Sequence, residues 1–130
     1  MPNVDLALVI CNQGDDREKA VAAILKCGLN PICCSNLQEA RTLLCQEPFR
    51  VVLCTDILTD GDYRTVLREV RKTDKDAPVI VLSRAAEWDS YLIALGAGAF
   101  DYIACPPDLA EAKRIILSAL DTGKTAYLSA

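Results

Sequence analysis

The chain has 130 residues, enough for one domain with a real core, and 52% of them are hydrophobic, which excludes disorder as a general description. Its net charge of −4, from 14 basic and 18 acidic residues, leaves no basic stripe to neutralise phosphates, so direct nucleic-acid binding is not expected. No apolar run approaches the roughly 18 residues of a membrane span. The start, MPNVDLALVICNQ, carries Asp5 where a signal peptide carries positive charge. A soluble, cytoplasmic chain without a membrane partner is expected.

Short apolar runs alternate with stretches of helical period five times over. Residues 6–11 form the first run, followed by a polar turn and a helix for which Asp15 is a candidate N-cap, with Glu18 three residues on. Val21, Ile24 and Leu25 supply its buried stripe, and Gly28 ends it. Residues 31–35 read as the second strand. Asn36 then caps a second helix, with Glu39 three residues later, Ala40, Leu43 and Leu44 facing inward, and Pro48 closing it. The third strand, 51–55, is apolar and β-branched enough to be buried on both faces.

After the turn DILTDGD, Val66, Leu67 and Val70 mark a third helix, whose Arg64, Arg68, Arg71 and Lys72 read as a solvated face. Pro78 introduces the fourth strand, 79–82. A weaker helix follows, with Tyr91, Leu92 and Leu95 on one side, and is broken by Gly96 and Gly98. The fifth strand is 100–104. Asp108 and Glu111 open the last helix, with Leu109, Ile115, Ile116, Ala119 and Leu120 inward. This gives one domain over residues 1–122 and a tail or linker start over 123–130.

Strand–helix alternation of this kind implies βαβ units and a parallel sheet covered on both faces. With right-handed crossovers, the expected fold is α/β, a flavodoxin-like three-layer doubly wound arrangement of five helices and five parallel strands in the order 2-1-3-4-5. The seven cysteines fit neither a disulfide framework, being odd in number, nor a zinc site, since there is no His and no CxxC pair. Cys11, Cys33, Cys34 and Cys54 fall in or at the ends of strands, where free Cys behaves as a small buried hydrophobe.

In such a sheet, ligands bind outside the carboxyl ends of the strands where the strand order reverses. The residues there are Cys11 and Asn12, Asp56, Ser83, and Cys105 before Pro106. A flavin or nucleotide pocket is disfavoured, because the first turn, CNQGDDRE, has one Gly and two acids where phosphate cradling wants glycines and no negative charge.

The segments VVLCTD, APVIVLS and GAGAFDYIACPPDL closely resemble the third, fourth and fifth strand regions of response-regulator receiver domains, and the similarity runs from about Leu6 to Leu120. The resemblance implies a signalling module of a two-component phosphorelay and not an enzyme. It makes Asp56 the phosphoacceptor, Ser83 the hydroxyl that bonds the phosphoryl oxygen and draws its loop inward, and Tyr102 the aromatic switch that turns inward with it. Cys105–Pro106 matches a Lys–Pro step that is often cis in the family. A histidine kinase or another signalling protein is the implied partner. A homodimer through the fourth helix, fifth strand and fifth helix is also implied, with Tyr91 and Tyr102 among its residues; Trp88 could anchor a partner there.

Two departures set the chain apart. Cys11 and Asn12 stand where the family has a pair of Mg²⁺-holding acids, and a hard cation prefers oxygen ligands to a thiol. Cys105 replaces the family's Lys. No cofactor is therefore assigned; Mg²⁺ bound through Asn12 and Asp56 is expected to be weak. The turn after Asp56 also lacks the family's Met-Pro step, and Asp15, Asp16, Asp60 and Asp62 are the only acids that could replace the missing pair. Degenerate phosphorylation chemistry is expected. The alternative is a phosphorylation-independent pseudo-receiver with a thiol switch at Cys11 and Cys105, which would need those residues to meet across the crevice and a lowered thiol pKa that no Lys or Arg is placed to supply.

Overall fold

The computed structural model describes residues 5–73, 77–85 and 87–129, with side chains through residue 121. In chain order its elements are β1 (Leu6–Ile10), α1 (Gly14–Lys26), β2 (Asn30–Cys34), α2 (Leu37–Gln46), β3 (Val51–Thr55), the short strands β4 (Ile57–Leu58) and β5 (Gly61–Asp62), α3 (Tyr63–Thr73), β6 (Val79–Ser83), α4 (Trp88–Ala97), β7 (Asp101–Ala104) and α5 (Leu109–Ser129). The main sheet runs β2-β1-β3-β6-β7, every neighbouring pair parallel. With the two short strands left uncounted, this is the expected 2-1-3-4-5 order. The antiparallel pair β4–β5 is an addition the sequence reading did not contain.

Period-2 alternation along the strands divides the core into two layers. Leu8, Ile10, Val52, Cys54, Val79 and Val81 pack against α2, α3 and Ala94 of α4. Ala7, Val9, Val51, Leu53, Ile80 and Leu82 point the other way, toward α1 and α5. All five residues of β3 and of β6 are buried, which is why both read as unbroken apolar runs.

Several local expectations are corrected. Helix α1 begins at Gly14, because the Arg17 N–H closes the first turn on the Gln13 carbonyl at 2.8 Å. Asp15 therefore sits exposed inside that turn and is not the cap. The buried stripe is Asp16, Ala20, Ala23 and Ile24, with Val21 partly covered and Leu25 exposed. The alanines let α1 lie close to α5, and Leu25, one residue on from Ile24, is rotated about 100° away from that contact.

In α5 the buried set is Ala112, Ile115, Ile116 and Ala119, spaced i, i+3, i+4, i+7, while Leu109 at the first helical position stays exposed. Leu92 of α4 is exposed too, and Gly96 lies within that helix; only Gly98, at φ 113°, ends it in the left-handed region. Cys33 lies on the edge strand with its side chain exposed. Helix α5 runs as far as Ser129; Ala130 lies outside the described residues.

Other expectations match. Gly28 takes φ 78° just past α1. The basic residues of α3 are solvated. Asn36 Oδ1 accepts the Glu39 N–H at 2.9 Å, and Glu39 Oε1 accepts the Ser35 N–H at 2.8 Å, so cap and first turn hold each other. Asn36→Ala should lower stability by about 1 kcal/mol. In urea titrations this appears as a lower midpoint with an unchanged slope.

Candidate functional site

Three strand ends meet at one rim. At the end of β3 the Asp56 N–H donates to the Leu82 carbonyl at 2.9 Å, extending the β3–β6 ladder by one rung. At the end of β6 the Ser83 hydroxyl donates to Asp56 Oδ2 at 2.8 Å and accepts the Ala85 N–H at 3.1 Å. Beyond β7 the Cys105 N–H donates to the Ser83 carbonyl at 2.9 Å, and the Cys105–Pro106 peptide is cis, as the Lys–Pro resemblance implies. Tyr102 is only 7% exposed and lies inward, in the layer with α2, α3 and α4.

The end of β1 completes the crevice. The Cys11 N–H donates to the Cys34 carbonyl at 2.9 Å, its side chain is fully buried, and its thiol lies 3.5 Å from the Gln13 carbonyl. Asn12 is exposed at the rim. The Arg17 guanidinium spans the β1 and β2 ends, donating to the Cys11 and Cys34 carbonyls and to the Ser35 hydroxyl.

The residue the sequence reading undervalued is Asp16. It is 1% exposed, and its Oδ1 accepts from Arg84 Nη2 at 2.9 Å. Its charge also acts on the Cys105 and Cys11 thiols. A signal for this was present: Asp16 is one turn before Ala20, on the buried stripe of α1, where a charge needs a partner. Arg84 and Arg17 are the cations that the sequence reading did not place near the crevice.

These surroundings hold the thiols protonated. Burial, then the Asp16 charge and its hydrogen bond, push Cys105 up to about 12. Cys11 is raised chiefly by burial, and Cys54, wholly enclosed in the core, is raised well above an ordinary thiol. Thiolate is the reactive form. Alkylation by iodoacetamide at neutral pH should therefore reach the exposed Cys45 well before Cys11, Cys54 or Cys105, as peptide mapping by mass would read.

The other acids are engaged elsewhere. Asp62 Oδ1 accepts the Arg64 N–H at 3.0 Å, opening α3. Asp60 accepts the Leu37 N–H at 2.8 Å and the Gln38 N–H at 3.2 Å, capping α2 from 23 residues away. Mg²⁺ wants an octahedral oxygen shell. Against that need, the crevice presents the Asp56 carboxylate, an exposed amide at Asn12 and a neutral thiol at Cys11, and no cluster of three Cys, Asp or Glu that could hold a metal occurs among the described residues. This donor set does not fit the ion well.

The Leu37 N–H holds the Asp60 carboxyl below its ordinary value. A depressed carboxylate adds stability that is complete above about pH 4 and is lost as pH falls through the lower folded value. Asp60→Asn should flatten that acid limb of the stability–pH curve, measured by urea unfolding at stepped pH.

A strand-end carboxylate bonded to a neighbouring hydroxyl thus lies at the rim of a parallel sheet of 2-1-3-4-5 order. No family model matches the chain. The response regulator protein PilR of Pseudomonas aeruginosa is 30% identical to it over 114 residues, 88% of this chain and 26% of that protein. A CheY-like receiver domain protein from Methanospirillum hungatei superposes with a TM-score of 0.83 at 18% identity, over 95% of this chain and 99% of that one. The beryllofluoride-activated NtrC4 receiver domain dimer also gives 0.83, at 20% identity over 91% and 98%. In sequence the chain is related to response regulators, and its fold is that of their receiver domains. It spans about a quarter of the length of the curated relatives it matches. Among the described residues, no helix is long and apolar enough to cross a membrane.

Proposed function

We propose that this domain is a regulatory receiver whose acceptor is Asp56 and whose phosphoryl chemistry is weakened. The observation that carries the reading is the 2.8 Å bond from the Ser83 hydroxyl to Asp56 Oδ2, formed where the Cys11, Asn12 and Cys105 side chains stand in place of two acids and a lysine. Transfer of a phosphoryl group rests on positioning and on charges aimed at its oxygens. The positioning is present: a rung of backbone ladder and a hydroxyl hold the carboxylate. Of the charge, the acids and the ammonium are replaced by neutral groups, and the nearby Arg84 and Arg17 are already bonded to Asp16 and to backbone carbonyls.

The thiol-switch alternative has less support. Burial, with the Asp16 charge adding to it, raises both Cys11 and Cys105, which leaves neither as a ready nucleophile.

The partner in this reading is a signalling protein such as a histidine kinase, and the docking face is α4, β7 and α5. Trp88 is 70% exposed there and stacks on Tyr91 with ring centroids 5.4 Å apart, and Leu92 and Ile93 stand exposed beside them on α4. Exposed aromatic anchors of this kind favour a protein partner or a second copy. The net charge of −4 speaks against nucleic acid.

Acetyl phosphate with Mg²⁺, followed by intact mass, should give a slow gain of one phosphoryl group that disappears in Asp56→Ala. Cys11→Asp combined with Cys105→Lys should speed that gain by about a hundredfold or more. Fast labelling of the unaltered domain, or labelling that survives Asp56→Ala, would sink the reading.

A further inference from the structure

Asp16 is a buried charge that the acceptor chemistry does not use. A carboxylate removed from water persists only when paired, and loss of its partner strands an uncompensated charge. Its cation is Arg84, 57% exposed along its length but fixed at its tip, 2.9 Å from Oδ1. Arg84 directly follows Ser83. The three residues 83–85 are thus tied at four points. The Ser83 carbonyl accepts the Cys105 N–H at 2.9 Å, and the Ser83 hydroxyl donates to Asp56 at 2.8 Å. The Ala85 N–H donates back to that hydroxyl at 3.1 Å, and Arg84 reaches across to α1. Of these ties, only the last joins the loop to a different layer of the domain by a charge pair.

We propose that Asp16 and Arg84 are a positioning pair: their bond pins the loop after β6 against α1 and so keeps the Ser83 hydroxyl on Asp56 without a phosphoryl group. The loop is then held inward by an internal anion, with Tyr102 already buried beside α4. The proposal rests on reading this rim as the receiver site, but it concerns the resting domain. Phosphodonor, metal and kinase are not needed for the hold. The pair also accounts for the placement of an arginine here: its planar fork matches the geometry of a carboxylate, buried or not.

The test is amide hydrogen exchange by NMR on the whole 130-residue chain without phosphodonor, with urea stability measured in parallel. Ala85 is the reporter, because its N–H is bonded to the Ser83 hydroxyl. Arg84→Ala should speed Ala85 exchange by about tenfold, the scale of one lost hydrogen bond, while Arg84→Lys restores most of the protection.

Arg84→Ala also leaves Asp16 buried and unpaired and could unfold the domain, so the deciding variant is Asp16→Leu with Arg84→Leu, which removes both charges. Recovered global stability with Ala85 still fast supports positioning. Ala85 protection equal to the unaltered chain in that double variant overturns it and leaves the pair a merely structural one. Because no phosphodonor is present, this outcome is independent of whether Asp56 accepts a phosphoryl group.

Discussion

One backbone hydrogen bond fixes the geometry on which the site depends. The Asp56 N–H reaches the Leu82 carbonyl at 2.9 Å, and the next residue on that strand is Ser83. Strand register therefore brings residues 56 and 83 side by side, and the bonds of the loop after β6 then orient the serine hydroxyl. That register is hard to slip. Strands β3 and β6 are buried on both faces, so a shift of one residue would exchange the side chains of the two packing layers throughout. The stability of the core and the placement of the reactive pair are the same constraint seen at two ends of a strand.

What surrounds that pair differs in charge from what its shape suggests. The crevice has one carboxylate facing the rim, another sealed beneath it, and two guanidinium groups already committed to oxygen atoms of the chain. The thiols at the β1 and β7 ends are neutral in this setting, raised by burial and by the Asp16 charge. Electrostatic work that a free ammonium would direct at the acceptor is instead turned inward, on a buried anion. The domain keeps the hydrogen-bonding frame of a receiver while its internal charges satisfy one another.

Much of this was readable in the order of residues. The alternation of apolar runs and helical periods is imposed by burial on both sheet faces, so strand order and the layer arrangement follow from it, and Asp56, Ser83 and Cys105 fall at strand ends because loops begin there. Asn36 and Asp108 read as caps because their partners lie three residues away. The features that escaped join residues far apart in sequence. Asp60 caps α2 across 22 or 23 positions, and Asp16 meets Arg84 across 68. Periodicity gives the face of a helix but not how far each face reaches; hence Leu25 and Leu109, apolar and plausible, stand in solvent while small alanines carry the α1–α5 contact.

The cap that Asp60 provides gives the acceptor loop a mechanical connection to α2, which shares the layer of α3 and α4. The strand pair β4–β5 begins one residue past Asp56, and its tip grips the first turn of α2 through both carboxylate oxygens. Displacing that tip by about 1 Å would stretch these bonds out of range. A rearrangement at the rim is consequently felt along two routes: through the loop after β6, and through a carboxylate clasp to the helix beside the edge strand β2. A binding partner seated on α2 would sit within reach of the second route without touching the acceptor.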